Sequence, residues 1–103
     1  MSISVDPSDS SAEAAAASTA CFHVQAGAGP QVMPRVMEQF AKRGLIPARW
    51  HSSLGGPDGE TLTIDLQIEI SAPELVERIA ACLRQIVEVD TVLVSRKRVV
   101  HGR

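Results

Sequence analysis

The chain has 103 residues, 45% of them hydrophobic, 21% charged and only 3% aromatic, with a formal net charge of −2. That length holds one domain and excludes a large enzyme with a deep private active site, and so small a charge gives no argument for nucleic acid or an anionic membrane as partner. One Trp, two Phe and no Tyr leave a core of Val, Ile, Leu, Met and Ala, and the chain contains no Asn, so any mechanism that needs an Asn side chain is excluded at the outset.

Charge is distributed unevenly. Residues 1–20 carry Asp6, Asp9 and Glu13 and no base, whereas residues 96–103 carry Arg96, Lys97, Arg98 and Arg103 and no acid. The Ser/Ala-rich stretch from Ser8 to Ser18 has almost nothing large to bury, so ordering it would cost backbone entropy without return. The expected organisation is a disordered tail over 1–19, a compact domain over 20–95 and a basic tail over 96–103. The acidic start lacks the basic and strongly apolar regions of a secretory signal, and no apolar run approaches the roughly 20 residues that span a bilayer. Cys21 and Cys82 permit at most one disulfide. Free thiols in a reducing, cytoplasmic setting are the expectation.

Six elements follow in order. Ala20 to Ala26 alternates, with Phe22 and Val24 on one face and Cys21, His23 and Gln25 on the other, as in a strand. Gly27-Ala28-Gly29-Pro30 breaks it. Val32, Val36 and Phe40, with Met33, Met37 and Ala41 one residue behind, then draw a broad apolar helical stripe. Lys42 and Arg43 suit its last turn and Gly44 suits a left-handed cap, while Pro34 is tolerable only if the helix begins nearly there or if its first turn is irregular. Ile46 to Ser53 reads as a weaker strand, for which Pro47 suggests an edge or an entry position. Leu54 to Gly59 is a turn by composition. Thr61 to Ile70 alternates strictly between apolar and polar residues, which requires one covered and one open sheet face. Ser71-Ala72-Pro73-Glu74 has the form of a capping box. Leu75, Ile79, Leu83 and Ile86, flanked by Val76, Ala80 and Val87, mark a second helix, and Val89 to Ser95 a last strand. The order βαββαβ, with right-handed crossovers, gives a ferredoxin-like α+β sandwich: a four-stranded antiparallel sheet with two helices on one face.

The fold alone does not fix a function. Asp65 and Glu69 share the polar face of one strand and read as a solvated face. Cys21 and His23 lie two apart on another strand but lack a third and fourth ligand at metal spacing. Neither CxxC nor HExxH occurs, and Cys82 reads as a packed, inert thiol. The open face offers Cys, His, Gln, Asp and Glu where an RNA-binding sheet needs aromatics. No catalytic residue, cofactor or metal site is expected. The loop Gly27, Ala28, Gly29, Pro30 and Gln31 is the one candidate site, because free amides at a helix N-terminus can receive a carboxylate and glycine allows close approach or a φ above zero.

At this loop the chain resembles the ACT domains, small regulatory modules that bind amino acids. The resemblance rests on Gly29-Pro30-Gln31-Val32-Met33-Pro34-Arg35-Val36, on Phe40-Ala41-Lys42-Arg43-Gly44-Leu45-Ile46 and on the closing Leu83-Arg84-Gln85-Ile86-Val87-Glu88-Val89, and it covers residues 20–95. Within the family the chain is most similar to the small regulatory subunit of acetolactate synthase, of the short valine-insensitive type. Valine-sensing members carry an Asn and a Gly where this chain has Ala28 and Gln31. The resemblance implies a non-catalytic subunit that binds and activates the large, thiamine-diphosphate-dependent catalytic subunit of branched-chain amino-acid biosynthesis, with weak or no valine response. It also implies a homodimer formed by side-by-side pairing into an eight-stranded sheet, with the Gly27 to Gln31 loops at the interface, and a small amino acid as a candidate effector. A free-standing amino-acid sensor of the same family is the alternative. A small enzyme of acylphosphatase type is a remote one, since that family uses a loop Arg and an Asn that this chain lacks.

Overall fold

A computed structural model describes residues 18–98, and the expectations for residues 1–17 and 99–103 fall outside the described residues. The elements are β1 (Ser18–Gly27), α1 (Val32–Ala41), β2 (Arg49–Gly55), β3 (Thr61–Glu69), α2 (Pro73–Arg84) and β4 (Val89–Arg98). They form one sheet in the order β2-β3-β1-β4, antiparallel throughout. This is the expected ferredoxin-like α+β sandwich.

The strand alternation divides the sheet into two faces. Ala20, Phe22, Val24 and Ala26 of β1 meet Leu62, Ile64, Leu66 and Ile68 of β3 on the covered face, all of them buried. α1 adds Val32, Val36 and Phe40, and α2 adds Val76, Ile79, Ala80 and Leu83, to the same continuous core. Phe22 and Phe40 pack edge to face with ring centroids 5.4 Å apart and planes at 80°, an arrangement favoured by the ring quadrupoles. The helical stripes are narrower than their sequence pattern. Met37 and Ala41 are exposed. Val87, expected beside the second helical stripe, is 87% exposed because α2 ends at Arg84 and Val87 lies past the cap.

Several boundaries differ from expectation for identifiable reasons. β1 begins at Ser18 and β4 continues to Arg98, because Ser18, Thr19 and Ala20 pair with Arg98, Lys97 and Arg96; mutual pairing satisfies backbone groups that each segment alone would leave to water. β2 starts at Arg49 instead of Ile46 and extends through Leu54 to Gly55. Pro47 lacks an N–H for the ladder, and pairing is first made by the Ala48 amide to the Gln67 carbonyl at 2.8 Å. The capping box at Ser71 is not formed. The N-cap is Ala72, in extended conformation and without a side-chain cap, and Pro73 is the first helical residue. Proline's fixed φ favours that position, which moves the start one residue past Ser71 and breaks the three-residue spacing that a box requires.

Pro34 is accommodated as the third residue of α1, where its missing N–H is one of four that have no helical partner. The helix closes as expected at Gly44, whose φ is 72°. The Leu45 amide donates to the Phe40 carbonyl and the Gly44 amide to the Ala41 carbonyl, both at 2.9 Å, the bond pair of a Schellman motif. Replacing Gly44 with Ala, with only open space around the new Cβ, is expected to cost about 1 kcal/mol through backbone strain alone. Urea denaturation checks this, and an unchanged midpoint would remove the conformational argument.

One irregularity shapes the β1–β4 pair. Gln25 pairs with Thr91 but Ala26 pairs with Val89, so Asp90 is an extra residue in β4. This bulge re-aims the strand: Val89 packs against the core and Asp90 is exposed.

Candidate functional site

The Gly27–Gln31 loop carries the end of β1 into α1. Its backbone is partly occupied. The Gly27 amide donates to the Glu88 carbonyl at 2.9 Å and the Ala28 amide to the Glu60 carbonyl at 3.1 Å, so the loop is tied to the starts of both neighbouring strands. The expected set of free amides is therefore shorter than the loop, because Pro30 has no N–H and these two donors face strand ends. The first bond of α1 runs from the Arg35 amide to the Gln31 carbonyl at 3.2 Å. Gln31 is the N-cap, and its side-chain oxygen accepts from Arg35 Nη2 at 3.1 Å. Gln31 thus lies back along the helix.

Neither Gly27 nor Gly29 has a positive φ; among the described residues the positive-φ glycines are Gly44, Gly56 and Gly59. A turn that demands left-handed backbone is therefore not the reason for glycine at position 29. A Cβ built there would fall 2.8 Å from the Glu88 carboxyl carbon, the end of an exposed side chain that is free to swing aside. Glu88 and Arg35 were not singled out in the sequence. The signal available was a glycine in a loop–helix junction, but its neighbour lies 59 positions further on and becomes visible only when β4 is laid beside β1.

Two depressions flank the loop. On the α2 side, a groove of about 380 Å³ is bounded by Pro30, Val32, Arg35, Ile86, Val87 and Glu88. On the β2 side, a depression of about 570 Å³ is bounded by Ala28, Met33, Pro34, Ser53, Leu54 and Leu62. β2 is an edge strand, and Leu54 near its end is 66% exposed.

The open face of the sheet is polar. Register places His51, Asp65, His23 and Leu93 in one cross-strand row and Arg49, Gln67, Cys21 and Ser95 in the next. His23 Nδ1 and Asp65 Oδ1 are 2.6 Å apart, with both side chains well exposed. An exposed pair of this kind contributes about 0–1 kcal/mol. Asp65 is thus engaged by a histidine and does not form a carboxylate pair with Glu69. His51, on the other side of Asp65, was missed in the sequence because its place depends on the β2–β3 register. Among the described residues no group of three or more His, Cys, Asp or Glu is arranged to hold a metal ion. Both cysteines are free and half-buried. Cys82 lies 3.7 Å from Arg43 Nη2, so it is less enclosed than the packed thiol expected. No helix among the described residues is long and apolar enough to cross a membrane.

No protein-family model and no curated protein sequence matches the chain. Solved structures with the same fold do match. The chain is similar to the ACT domain from the GTP pyrophosphokinase of Chlorobium tepidum, with a TM-score of 0.63 at 16% identity over 75% of this chain and 96% of that one. It is also similar to the C-terminal domain of the MgtC protein from Mycobacterium tuberculosis, with a TM-score of 0.59 at 17% identity over 85% of this chain and 96% of that one. The regulatory subunit of aspartate kinase from Thermus thermophilus gives a TM-score of 0.57 at 15% identity, over 78% of this chain and 51% of that one. At these identities the likeness is one of fold: the chain has the architecture of ACT domains.

Proposed function

We propose that the chain is a non-catalytic regulatory subunit that binds and activates the catalytic subunit of acetolactate synthase, with weak or no valine response. The observation that carries this reading is the ACT-type fold with the loop-to-helix junction at Gly27–Gln31 in place. The segments of resemblance fall on functional joints of that fold. Gly29 to Val36 forms the loop and first turns of α1, Phe40 to Ile46 forms its Schellman exit, and Leu83 to Val89 joins α2 to β4. The weak valine response follows from the resemblance: Ala28 and Gln31 stand where sensing members have Asn and Gly, and Gln31 is committed to Arg35.

The chain acts as a homodimer in this proposal, paired side by side along an edge of the sheet. Among the described residues nothing pairs with the outer edge of β2, which supports it, since exposed Leu54 sits there beside the Ala28–Pro34 depression, and an open edge with apolar residues favours covering by another strand. A free-standing amino-acid sensor is the second reading, favoured by a fold complete within residues 18–98.

Reconstitution tests the primary reading. Adding the chain to purified acetolactate synthase catalytic subunit is expected to raise acetolactate formation at least about fivefold, the lower end of usual coupling between sites, with little change when valine is added. No copurification and no change in rate would overturn it. Strong valine inhibition of the reconstituted enzyme would overturn the insensitivity.

A further inference from the structure

We propose that the outer edge of β4 is a latent pairing edge for a second copy of this chain, held closed by the Arg84 side chain at its centre. The strand it would take is β4 of that copy, running antiparallel. This goes beyond the regulatory reading and does not depend on it.

β4 ends the sheet order β2-β3-β1-β4, and among the described residues no strand pairs with its outer side. The register tells which backbone groups face outward. The Gly27 amide donates to the Glu88 carbonyl, so the odd-numbered residues of β1 turn their backbone groups towards β4. Thr91, Leu93 and Ser95 stand opposite Gln25, His23 and Cys21 and turn inward to meet them. Val92, Val94 and Arg96 therefore direct their N–H and C=O groups away from the sheet. Arg84, the last residue of α2, reaches this outer row: its Nη2 donates to the Val92 carbonyl at 2.9 Å. A charged donor binds that carbonyl strongly, and a long basic side chain laid over the edge obstructs an incoming strand.

Without that guard the edge suits its own copy. Outward groups meet outward groups when a twofold axis passes through Leu93. Val92 of one copy then faces Val94 of the other, and the two Leu93 side chains face each other across the axis. Leu93 is 59% exposed on the open face and Val94 is half-buried, so pairing would remove apolar surface of both from water. The same register brings exposed Arg96 towards exposed Asp90 of the second copy, which sets unlike charges together. The central bond of this pairing would run from the Val94 amide of one copy to the Val92 carbonyl of the other, the acceptor that Arg84 engages. Closing this edge also limits assembly. A sheet open at both edges would join copies at β2 and again at β4 and extend without closure.

The test is sedimentation of the full chain across a wide concentration range, with amide hydrogen exchange read at Val94. Arg84→Ala is expected to form particles at least about twice the wild-type mass, at concentrations at least about tenfold lower than wild type needs. The Val94 amide should exchange fast in wild type, where it has no partner, and slowly in associated Arg84→Ala. Adding Leu93→Lys to Arg84→Ala sets two ammonium groups face to face at the axis, and should restore the wild-type mass and fast exchange. Adding Leu54→Lys at the β2 edge instead should leave Val94 protected. Arg84, Leu93 and Leu54 are all exposed, so each variant is expected to fold, which circular dichroism checks. Arg84→Ala at the wild-type mass throughout, or larger particles that Leu93→Lys does not reverse, overturns the proposal. So does a Val94 amide already protected in wild type, a measurement that needs no variant.

Discussion

Phe40→Ala is expected to lower the unfolding free energy by about 3–5 kcal/mol, the usual cost of emptying a buried aromatic site. A domain of this size has total stability of only about 4–12 kcal/mol, so the variant should be marginal or unfolded at room temperature. Phe40 is fully buried and is one of only two Phe in the chain, the other being its edge-to-face partner Phe22. Phe22 is fixed by its own strand pairing in β1, so it is not expected to fill the vacated space. The Phe40 carbonyl also receives the Leu45 amide that closes the helix, but Ala retains that backbone bond, so the loss isolates the ring. Urea denaturation measures it, and a loss below about 1 kcal/mol would show that the ring is not the keystone of the core.

Ile64→Lys should abolish folding while Thr63→Lys, one residue away, leaves the chain folded. Ile64 is fully buried at the centre of β3, directly between Val24 of β1 and Ser52 of β2. No acid faces it there, and an unpaired buried ammonium costs several kcal/mol. Thr63 lies on the open face between Gln25 and Ser53, where a lysine head reaches water; its substitution should change stability by about 0.5 kcal/mol or less. Circular dichroism with thermal melting separates the two outcomes. If both variants melt alike, the assignment of faces is wrong.

The contrast between positions 63 and 64 also shows why the fold was legible in the sequence. Strict alternation from Thr61 to Ile70 admits one placement of the faces, and a one-residue slip would bury Asp65. The Val32, Val36 and Phe40 spacing, closed by Gly44, fixed α1 in the same way. Local chemistry was less decisive where two signals competed. Ser71 and Glu74 had box spacing, but Pro73 determined where the helix begins. Ile46 had strand character, but Pro47 stood between it and the ladder. The ends of β1 and β4 were missed because Ser18 and Arg96 to Arg98 carry no apolar pattern; they become strand only by pairing with each other.

The candidate site was legible as a loop but not as a surface. Gly27 to Gln31 stood out by composition. Its companions did not, since Glu88 and Arg35 entered only as members of the segments of resemblance. What joins them is the β1–β4 register and the Gly27 amide bond to the Glu88 carbonyl, contacts between positions about 60 apart. The same holds for the open face, where His23 and Asp65 were each visible but their pairing, and the presence of His51 in the row, required the order β2-β3-β1-β4.

The pairing of Ser18 with Arg98 has a practical consequence for handling the molecule. Backbone entering at Ser18 and backbone leaving at Arg98 pass the same corner of the sheet, and β1 runs ten residues from that corner to Gly27, about 30 Å at the usual strand rise. An affinity tag, fluorophore or surface tether attached beyond either strand end therefore departs from the opposite pole to the Gly27–Gln31 loop. Immobilised or labelled material can be presented to amino acids or to a catalytic subunit with that pole facing outward, whichever end carries the attachment.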